Sequence, residues 1–170
     1  MKKLILILSI TMTVALSNQA TAQKTIVDVA VGNEDFSTLV TALKAADLVG
    51  ALQGDGPFTV FAPTNDAFAK IDSKTLNSLL EAKNKKALAN ILTYHVIPGK
   101  LTATDVVAAL KKGKGTVELK ALNGQVLTVM QKDGKIWLKD LNGNYSEIVA
   151  TDVMGSNGVI HVINTVVMPK

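Results

Sequence analysis

The sequence has 170 residues with a formal net charge of +4, and all 18 of its basic residues are lysines. It contains no cysteine, which excludes disulfide bonds, zinc–thiolate sites and thiol catalysis. Because arginine is the preferred bidentate ligand of phosphate and guanine, a weakly charged surface without arginine argues against nucleic-acid binding.

The first 22 residues have the pattern of a secretory signal peptide. Two lysines precede an apolar run over residues 4–16, and small residues ending at Ala22 form a cleavage site. The apolar run is too short for a lasting transmembrane helix. We therefore expect cleavage near Ala22, export to the periplasm or the medium, no stable membrane insertion, and one domain over residues 23–170.

The first part of this domain has the residue periodicity of α-helices. Apolar residues recur at the spacing of one helix face after residue 35, and either Asp35 or Ser37 is the expected N-cap. A short β-rich run covers residues 58–61. We expect Thr64 or Asn65 to cap a short helix directly after it.

Two more helical stretches follow in the chain. Leucines and isoleucines between residues 76 and 92 predict one or two helices. Thr102 and Asp105 form a capping box, which predicts a helix that ends near Leu110. The stretch "KKGKG" after it has the composition of a solvated helix end, where lysines favour the negative end of the helix dipole.

After residue 115 the pattern changes to strict alternation, which is typical of half-buried strands. Asn-Gly and Asp-Gly pairs separate these stretches and are typical of tight hairpin turns. The sequence therefore predicts an α+β fold, with helices mainly in the N-terminal half and an antiparallel meander after them. The predicted strands cover residues 116–122, 125–130, 135–140, 147–153 and 159–168.

His95 and His161 are the candidates for chemistry in this chain. They lack the spacing of a metal site, and no G-x-S-x-G nucleophile elbow occurs. A strand over residues 94–97 would place His95 on an apolar face, and a strand around His161 gives the same pattern. Since a buried imidazole needs hydrogen-bond partners, we predict that both histidines are core residues bonded to backbone carbonyls. We expect no catalytic residue, no metal and no cofactor.

Three segments resemble the signature motifs of the fasciclin domain family. They are "FTVFAPTNDAF" at residues 58–68, "YHVIPGKL" at residues 94–101 and "NGVIHVINTVVMP" at residues 157–169. The resemblance implies a secreted bacterial single-domain member, folded as a wedge of antiparallel β-sheets packed with several α-helices. The residues that carry the structural signature are Thr59, Phe61, Pro63, Asn65, Phe68, Asn157, Gly158 and His161.

The resemblance also implies candidate partner-binding residues. The family's Tyr-His motif, linked to integrin binding in animal relatives, corresponds to Tyr94 and His95. A second integrin-linked motif, an Asp followed by an aliphatic residue, corresponds to Asp152 and Val153. This chain departs from the family pattern just before that Asp, where Ala-Thr stands in place of Glu-Pro.

The function that the resemblance implies is a secreted, non-enzymatic adhesion or interaction module. Its partner would be a protein or a surface polysaccharide on cells or matrix, and the protein would be a monomer or weak oligomer. One alternative is a small-ligand or carbohydrate carrier, although aromatic residues make up only 4% of the chain and sugar sites usually use aromatic platforms. Another alternative is a metal-binding protein or hydrolase built on His95 and His161.

Overall fold

The computed structural model describes residues 24–170, so the expected signal peptide lies outside the described residues. Over the described range the chain forms seven α-helices and seven β-strands. The helices are α1 (Ile26–Val31), α2 (Ser37–Ala45), α3 (Val49–Leu52), α4 (Asn65–Ala69), α5 (Ser73–Leu80), α6 (Lys85–Tyr94) and α7 (Ala103–Lys112). The strands are β1 (Phe58–Pro63), β2 (Val96–Pro98), β3 (Thr116–Lys120), β4 (Val126–Lys132), β5 (Lys135–Lys139), β6 (Tyr145–Gly155) and β7 (Gly158–Ile163).

The strands form one curved sheet in the order β2-β1-β7-β6-β5-β4-β3. The predicted antiparallel meander is confirmed for β3 to β7. However, β1 and β7 pair in parallel along residues 58–63 and 158–163, a long-range contact that no local pattern indicated. The backbone N–H of Leu122 donates to the carbonyl of Val96 at 2.8 Å, so the two ends of the sheet approach each other.

The hydrophobic core has two parts, because alternate residues of β1 point to opposite faces of the sheet. Val60 faces the first part, where β1 and β7 pack against the N-terminal helices through residues such as Leu43. Phe61 faces the second part, inside the curved sheet, together with Leu110 of α7 and Leu127 of β4. The first and last signature segments therefore lie side by side between the two parts of the core.

The helix starts agree with the predicted caps in two of three places. Thr64 caps α4, and the capping box of Thr102 and Asp105 begins α7. The prediction for α2 was wrong: neither Asp35 nor Ser37 is its N-cap. A turn of 3-10 helix over Glu34–Phe36 leads directly into α2, so the chain is already helical where the cap was expected.

The prediction of a strand over residues 94–97 was also wrong at its first two positions. Helix α6 continues to Tyr94, His95 is its C-cap, and β2 begins only at Val96. The backbone N–H of His95 bonds to the carbonyl of Leu92 at 3.1 Å, which completes the last helical turn. Tyr94 and His95 consequently follow the geometry of a helix end, and both side chains are buried.

Candidate functional site

His95 lies where α6, β1 and the C-terminal segment meet. Its carbonyl accepts a hydrogen bond from the backbone N–H of Phe61 at 2.9 Å. Its ring nitrogen Nε2 accepts from the backbone N–H of Val167 at 3.2 Å, so the ring proton is on Nδ1, which donates to the carbonyl of Ile91 at 2.8 Å. Burial lowers the pKa of His95 to about 4, although the bond to Ile91 opposes part of that shift. The neutral imidazole thus joins α6 to the C-terminal segment, and the backbone carbonyl of the same residue joins α6 to β1.

His161 has the opposite tautomer. Nδ1 accepts from the backbone N–H of Asp152 at 3.4 Å, and Nε2 donates to the carbonyl of Leu101 at 2.7 Å. The ring also packs against Phe61, with 5.7 Å between the ring centroids. The side chain of His161 is buried, and it holds the loop before α7 against β7 and β6.

The two histidines are not assembled into one reactive site. His161 is in the strand on one side of β1, and His95 immediately precedes the strand on its other side. Each ring has both nitrogens bonded to the backbone, so neither has a free nitrogen with which to take a proton from a substrate. Within residues 24–170 there is also no group of three or more His, Asp or Glu residues arranged to hold a metal ion.

Tyr94 is buried as completely as its neighbour His95. Its hydroxyl donates to the carbonyl of Val126 on β4 at 2.8 Å. Burial raises the pKa of Tyr94, and the negative charge of Asp140 raises it further. The Tyr-His segment reaches the surface only at Pro98 and Lys100, beyond the two side chains that were the candidates for partner contact.

Asp152 lies in an irregular part of β6 where the register against β7 shifts. Its φ of 59° is in the left-handed region, which Asp tolerates better than most residues. This conformation lets Oδ1 accept from the backbone N–H of Ala103, the first residue of α7, at 2.8 Å. A carboxylate at this end of a helix is favoured by the helix dipole. Asp152 therefore connects β6 to α7, and Val153 beside it is half-buried opposite Ile160.

Thr59 and Asn65 each hold another segment in place: Thr59 binds the loop between β2 and α7, and Asn65 binds the start of α2. The buried hydroxyl of Thr59 donates to the carbonyl of Gly99 at 2.7 Å and accepts from the N–H of Leu101 at 2.8 Å. Oδ1 of Asn65 accepts from the backbone N–H of Thr38 at 3.0 Å. Asn65 thus supplies, from a distant part of the chain, the acceptor for the first turn of α2 that no local N-cap provides.

Asn157 and Gly158 join the last strand to the N-terminal helices. Oδ1 of Asn157 accepts from the N–H of Ile26, and Nδ2 donates to the carbonyls of Leu52 and Gly54. Gly158 is beside β1, where a Cβ atom would lie 2.2 Å from the carbonyl oxygen of Phe58. The remaining signature residues are apolar parts of the same framework: Phe61 and Phe68 are buried, and Pro63 ends β1.

Comparison with known proteins shows which family has this arrangement of signature residues. The family model of the Fasciclin domain matches residues 34–169. The chain belongs to the fasciclin domain family. The resemblance in the three sequence segments and the α+β fold are both confirmed by this match and by the structure.

Three similar proteins illustrate the range of fasciclin domain proteins. Protein sll1483 of Synechocystis is 53% identical over 145 residues, which cover 85% of this chain and 73% of the relative. The cell surface glycolipoprotein MPB83 of Mycobacterium bovis is 35% identical over 153 residues, which cover 87% of this chain and 62% of the relative. The solved structure of a FAS1 domain pair from the insect cell adhesion molecule Fasciclin I has the same fold, with a TM-score of 0.73 and 21% identity over 84% of this chain and 50% of that one.

Asp140 is a structural residue of this fasciclin domain that the sequence patterns did not reveal. Its buried carboxylate accepts from the backbone N–H groups of Asn142, Asn144 and Met168 at 2.9, 2.9 and 3.1 Å. It thereby closes the turn between β5 and β6 and holds the C-terminal segment against that turn. An acid just before an Asn-Gly pair, as in "DLNGN", was the available signal for the turn.

A second feature is the solvent-facing side of β4, β5 and β6, which we name the outer-sheet face. In the strand register Met130 lies opposite Trp137, and Lys139 lies opposite Tyr145. Tyr145 is 48% exposed and Trp137 is half-buried. Alternation within each strand indicates which residues point outward. Only the pairing register between strands shows that Met130 is next to Trp137 and that Lys139 is next to Tyr145.

Proposed function

We propose that this fasciclin domain is an exported interaction module, which binds a protein or a surface polysaccharide through its exterior and catalyses no reaction. The observation that carries the proposal is the bonding of polar residues within the three signature segments. Thr59, Asn65, His95, Asn157 and His161 all hydrogen-bond to backbone groups of their own domain. With these side chains engaged in holding the fold, recognition of a partner is left to the surface.

The cell-surface location of related proteins supports the export of this chain. MPB83 is described as a cell surface protein, and Fasciclin I is described as a cell adhesion molecule. A signal peptide over residues 1–22, cleaved near Ala22, would bring this chain to a comparable place, in the periplasm or the medium. We propose that residues 23–170 act there as one domain, a monomer or weak oligomer that needs no cofactor. None of the helices between residues 24 and 170 is long and apolar enough to cross a membrane.

The burial of Tyr94 and His95 changes the role proposed for the Tyr-His motif. A partner that docks on the folded domain finds neither side chain at the surface, so both act by supporting that surface. Contact at the first motif is therefore left to its exposed neighbours Pro98 and Lys100. At the second motif Asp152 and Val153 are half-buried and follow the exposed residues 149–151, so we propose that this whole stretch is available to a partner.

A surface-retention assay tests the proposed function. Purified protein is immobilised, and the retention of cells of the producing organism is compared with that on a surface coated with an unrelated protein of similar charge. Saturable retention that soluble fasciclin domain abolishes is the expected result. Equal retention on both surfaces, together with no saturable binding of isolated envelope proteins or polysaccharides, would contradict the proposal.

A further inference from the structure

The outer-sheet face carries the only tryptophan of the chain. Trp137 lies between Met130 of β4 and Glu147 of β6 in one row of the sheet. In the next row Lys139 lies opposite Tyr145, with its Nζ 5.7 Å from the centre of the tyrosine ring. Two of the seven aromatic side chains of Phe, Trp and Tyr type are thus displayed together on a solvent-facing surface. A grouped, exposed apolar patch commonly marks a binding site.

Tyr145 separates two grooves on this side of the molecule. The first groove has a volume of about 440 Å³ and is lined by Met130, Lys132, Asp133, Trp137 and Tyr145. The second has a volume of about 550 Å³, and its lining includes Tyr145, Lys70 and Asn144. Both grooves are lined by the tyrosine, so an extended chain that crosses its ring would reach both of them, whereas a compact ligand would occupy one.

Lysines surround Trp137 on the outer-sheet face. Lys135 and Lys139 flank Trp137 along β5, each about 7 Å from it by the strand repeat. Lys135 forms an ion pair with Glu147 at 2.7 Å, whereas Lys132 and Lys139 take no part in the ion pairs within residues 24–170. The charged residues that line the first groove are Lys132 and Asp133, and Lys139 lies beside it on β5. Over the whole outer-sheet face, the lysines at 132, 135 and 139 exceed the acids at 133 and 147 by one charge, which favours an anionic occupant.

A polysaccharide fits these features better than a protein does. A specific protein interface covers about 800 Å² on each partner and has an apolar centre. Here the apolar side chains are those of Met130, Trp137, Tyr145 and Val149, which are interspersed with lysines and acids and so form no broad apolar centre. A pyranose ring needs a smaller apolar surface, because its C–H face stacks on a single aromatic ring. Its hydroxyl and carboxylate groups then bond to polar side chains around that ring.

We propose that the outer-sheet face binds an acidic polysaccharide, a chain that contains uronic acids. Trp137 and Tyr145 stack on sugar rings of the chain, and Lys132 and Lys139 bind its carboxylates. A chain that crosses Tyr145 places further sugars in the second groove. This inference rests on the proposed function, for which it gives the class of partner and the binding surface.

Tryptophan fluorescence tests the inference directly, because Trp137 is the sole tryptophan and its emission reports on this face. Protein expressed from the full-length sequence is titrated with alginate oligomers at low salt and, separately, with neutral malto-oligomers. A saturable blue shift with alginate, weakened several-fold by added salt and much smaller with the neutral oligomers, is the expected result.

Matched variants connect the signal to the proposed contacts. Tyr145→Ala and Lys139→Gln are each expected to weaken alginate binding by about fivefold, through loss of a stacking ring or of a charge. Met154→Ala removes an equally exposed apolar side chain elsewhere, and Lys111→Gln removes a lysine on α7. Both are expected to leave the binding constant unchanged. Thermal melting of every variant shows whether it is folded.

Three outcomes of the titrations overturn the inference. The first is an emission that does not respond to alginate, and the second is equal weakening by Tyr145→Ala and Met154→Ala. The third is an emission shift that follows protein concentration without sugar, which would assign the face to a second copy of the chain. If a Trp137→Ala, Tyr145→Ala double variant still retains cells in the surface assay, the binding site is wrong while the proposed function stands.

Discussion

At the scale of single residues, His95 and His161 show how a reactive side chain becomes a structural one. Each imidazole bonds through both nitrogens to the backbone, and the two rings use opposite tautomers. A neutral imidazole has one donor and one acceptor, so it can join one carbonyl and one N–H from different elements. That property explains why a histidine, rather than an apolar residue, occupies each of these buried places.

Replacing His95 with Ala is expected to lower the free energy of unfolding by about 1–3 kcal/mol. The change leaves the carbonyl of Ile91 and the N–H of Val167 without their buried partner. Urea unfolding measures the effect. Lys100→Ala, at an exposed position nearby, serves as the control and is expected to change stability by less than about 0.5 kcal/mol. Equal stabilities of the His95 variant and the control would contradict a bracing role.

The low pKa of His95 predicts a specific loss of stability in mild acid. Its pKa is about 4 in the folded protein and near 6.5 in an unfolded chain. Between these values the unfolded state binds a proton that the folded state does not, so stability decreases as the pH falls through that range. From pH 7.5 to pH 5 the loss from this residue is expected to be about 2 kcal/mol.

Urea unfolding at both pH values, compared between the natural protein and His95→Ala, isolates this contribution. The variant lacks the titrating group and is expected to lose about 2 kcal/mol less stability over the same change in pH. An identical pH dependence in the two proteins would show that the ring of His95 is not held neutral in the fold.

At the scale of elements, short connections decide how helices meet the sheet. Asp152, in the irregular part of β6, binds the first N–H of α7 and donates its own N–H to His161 on β7. The left-handed conformation of Asp152 aims the carboxylate at the helix. One residue thereby fixes the position of α7 over the second core.

Asp152→Ala is expected to lower the free energy of unfolding by about 2–3 kcal/mol, because it removes the acceptor at α7 and leaves Ala in a left-handed conformation. Asp152→Asn keeps an oxygen acceptor and is expected to cost less than about 1 kcal/mol. Asp133→Ala is the matched control, since Asp133 has a φ of 54° but caps no helix. Equal losses for Ala at positions 133 and 152 would mean that the bond to α7 contributes nothing.

The parallel pairing of β1 with β7 depends on Gly158. A Cβ atom there would lie 2.2 Å from the carbonyl oxygen of Phe58, and backbone on both strands would have to shift. We expect Gly158→Ala to lower the free energy of unfolding by about 3 kcal/mol or more. Gly50→Ala in α3, where a new Cβ meets no atom within 4 Å, is expected to be neutral or stabilising. Comparable melting temperatures for the two variants would contradict this account of the pairing.

Local features of the fold could be predicted from the sequence, whereas long-range features could not. The capping box of Thr102 and Asp105 and the strands after residue 115 are properties of neighbouring residues. In contrast, the imidazole of His95 at the end of α6 accepts a hydrogen bond from the backbone N–H of Val167, which is distant in the chain. The proximity of Trp137 and Tyr145 likewise depends on strand register, which residue alternation alone does not determine.

At the scale of the whole molecule, the fasciclin signature residues lie mainly inside, and the partner binding that we propose uses the exterior. The signature segments meet along β1 and β7 between the two parts of the core. The outer-sheet face is built from β4, β5 and β6, which the three signature segments do not include. Fasciclin domains with the same interior can thus present different side chains on this face and recognise different partners.

The surface-retention assay on two variants tests this division between interior and exterior most directly. One variant is His95→Ala, assayed at a temperature where circular dichroism shows it to be folded, and the other is the Trp137→Ala, Tyr145→Ala double variant. The account predicts that the His95 variant retains cells as well as the natural protein does, while the double variant loses most of its retention. Loss of retention in the folded His95 variant, with full retention by the double variant, would contradict it.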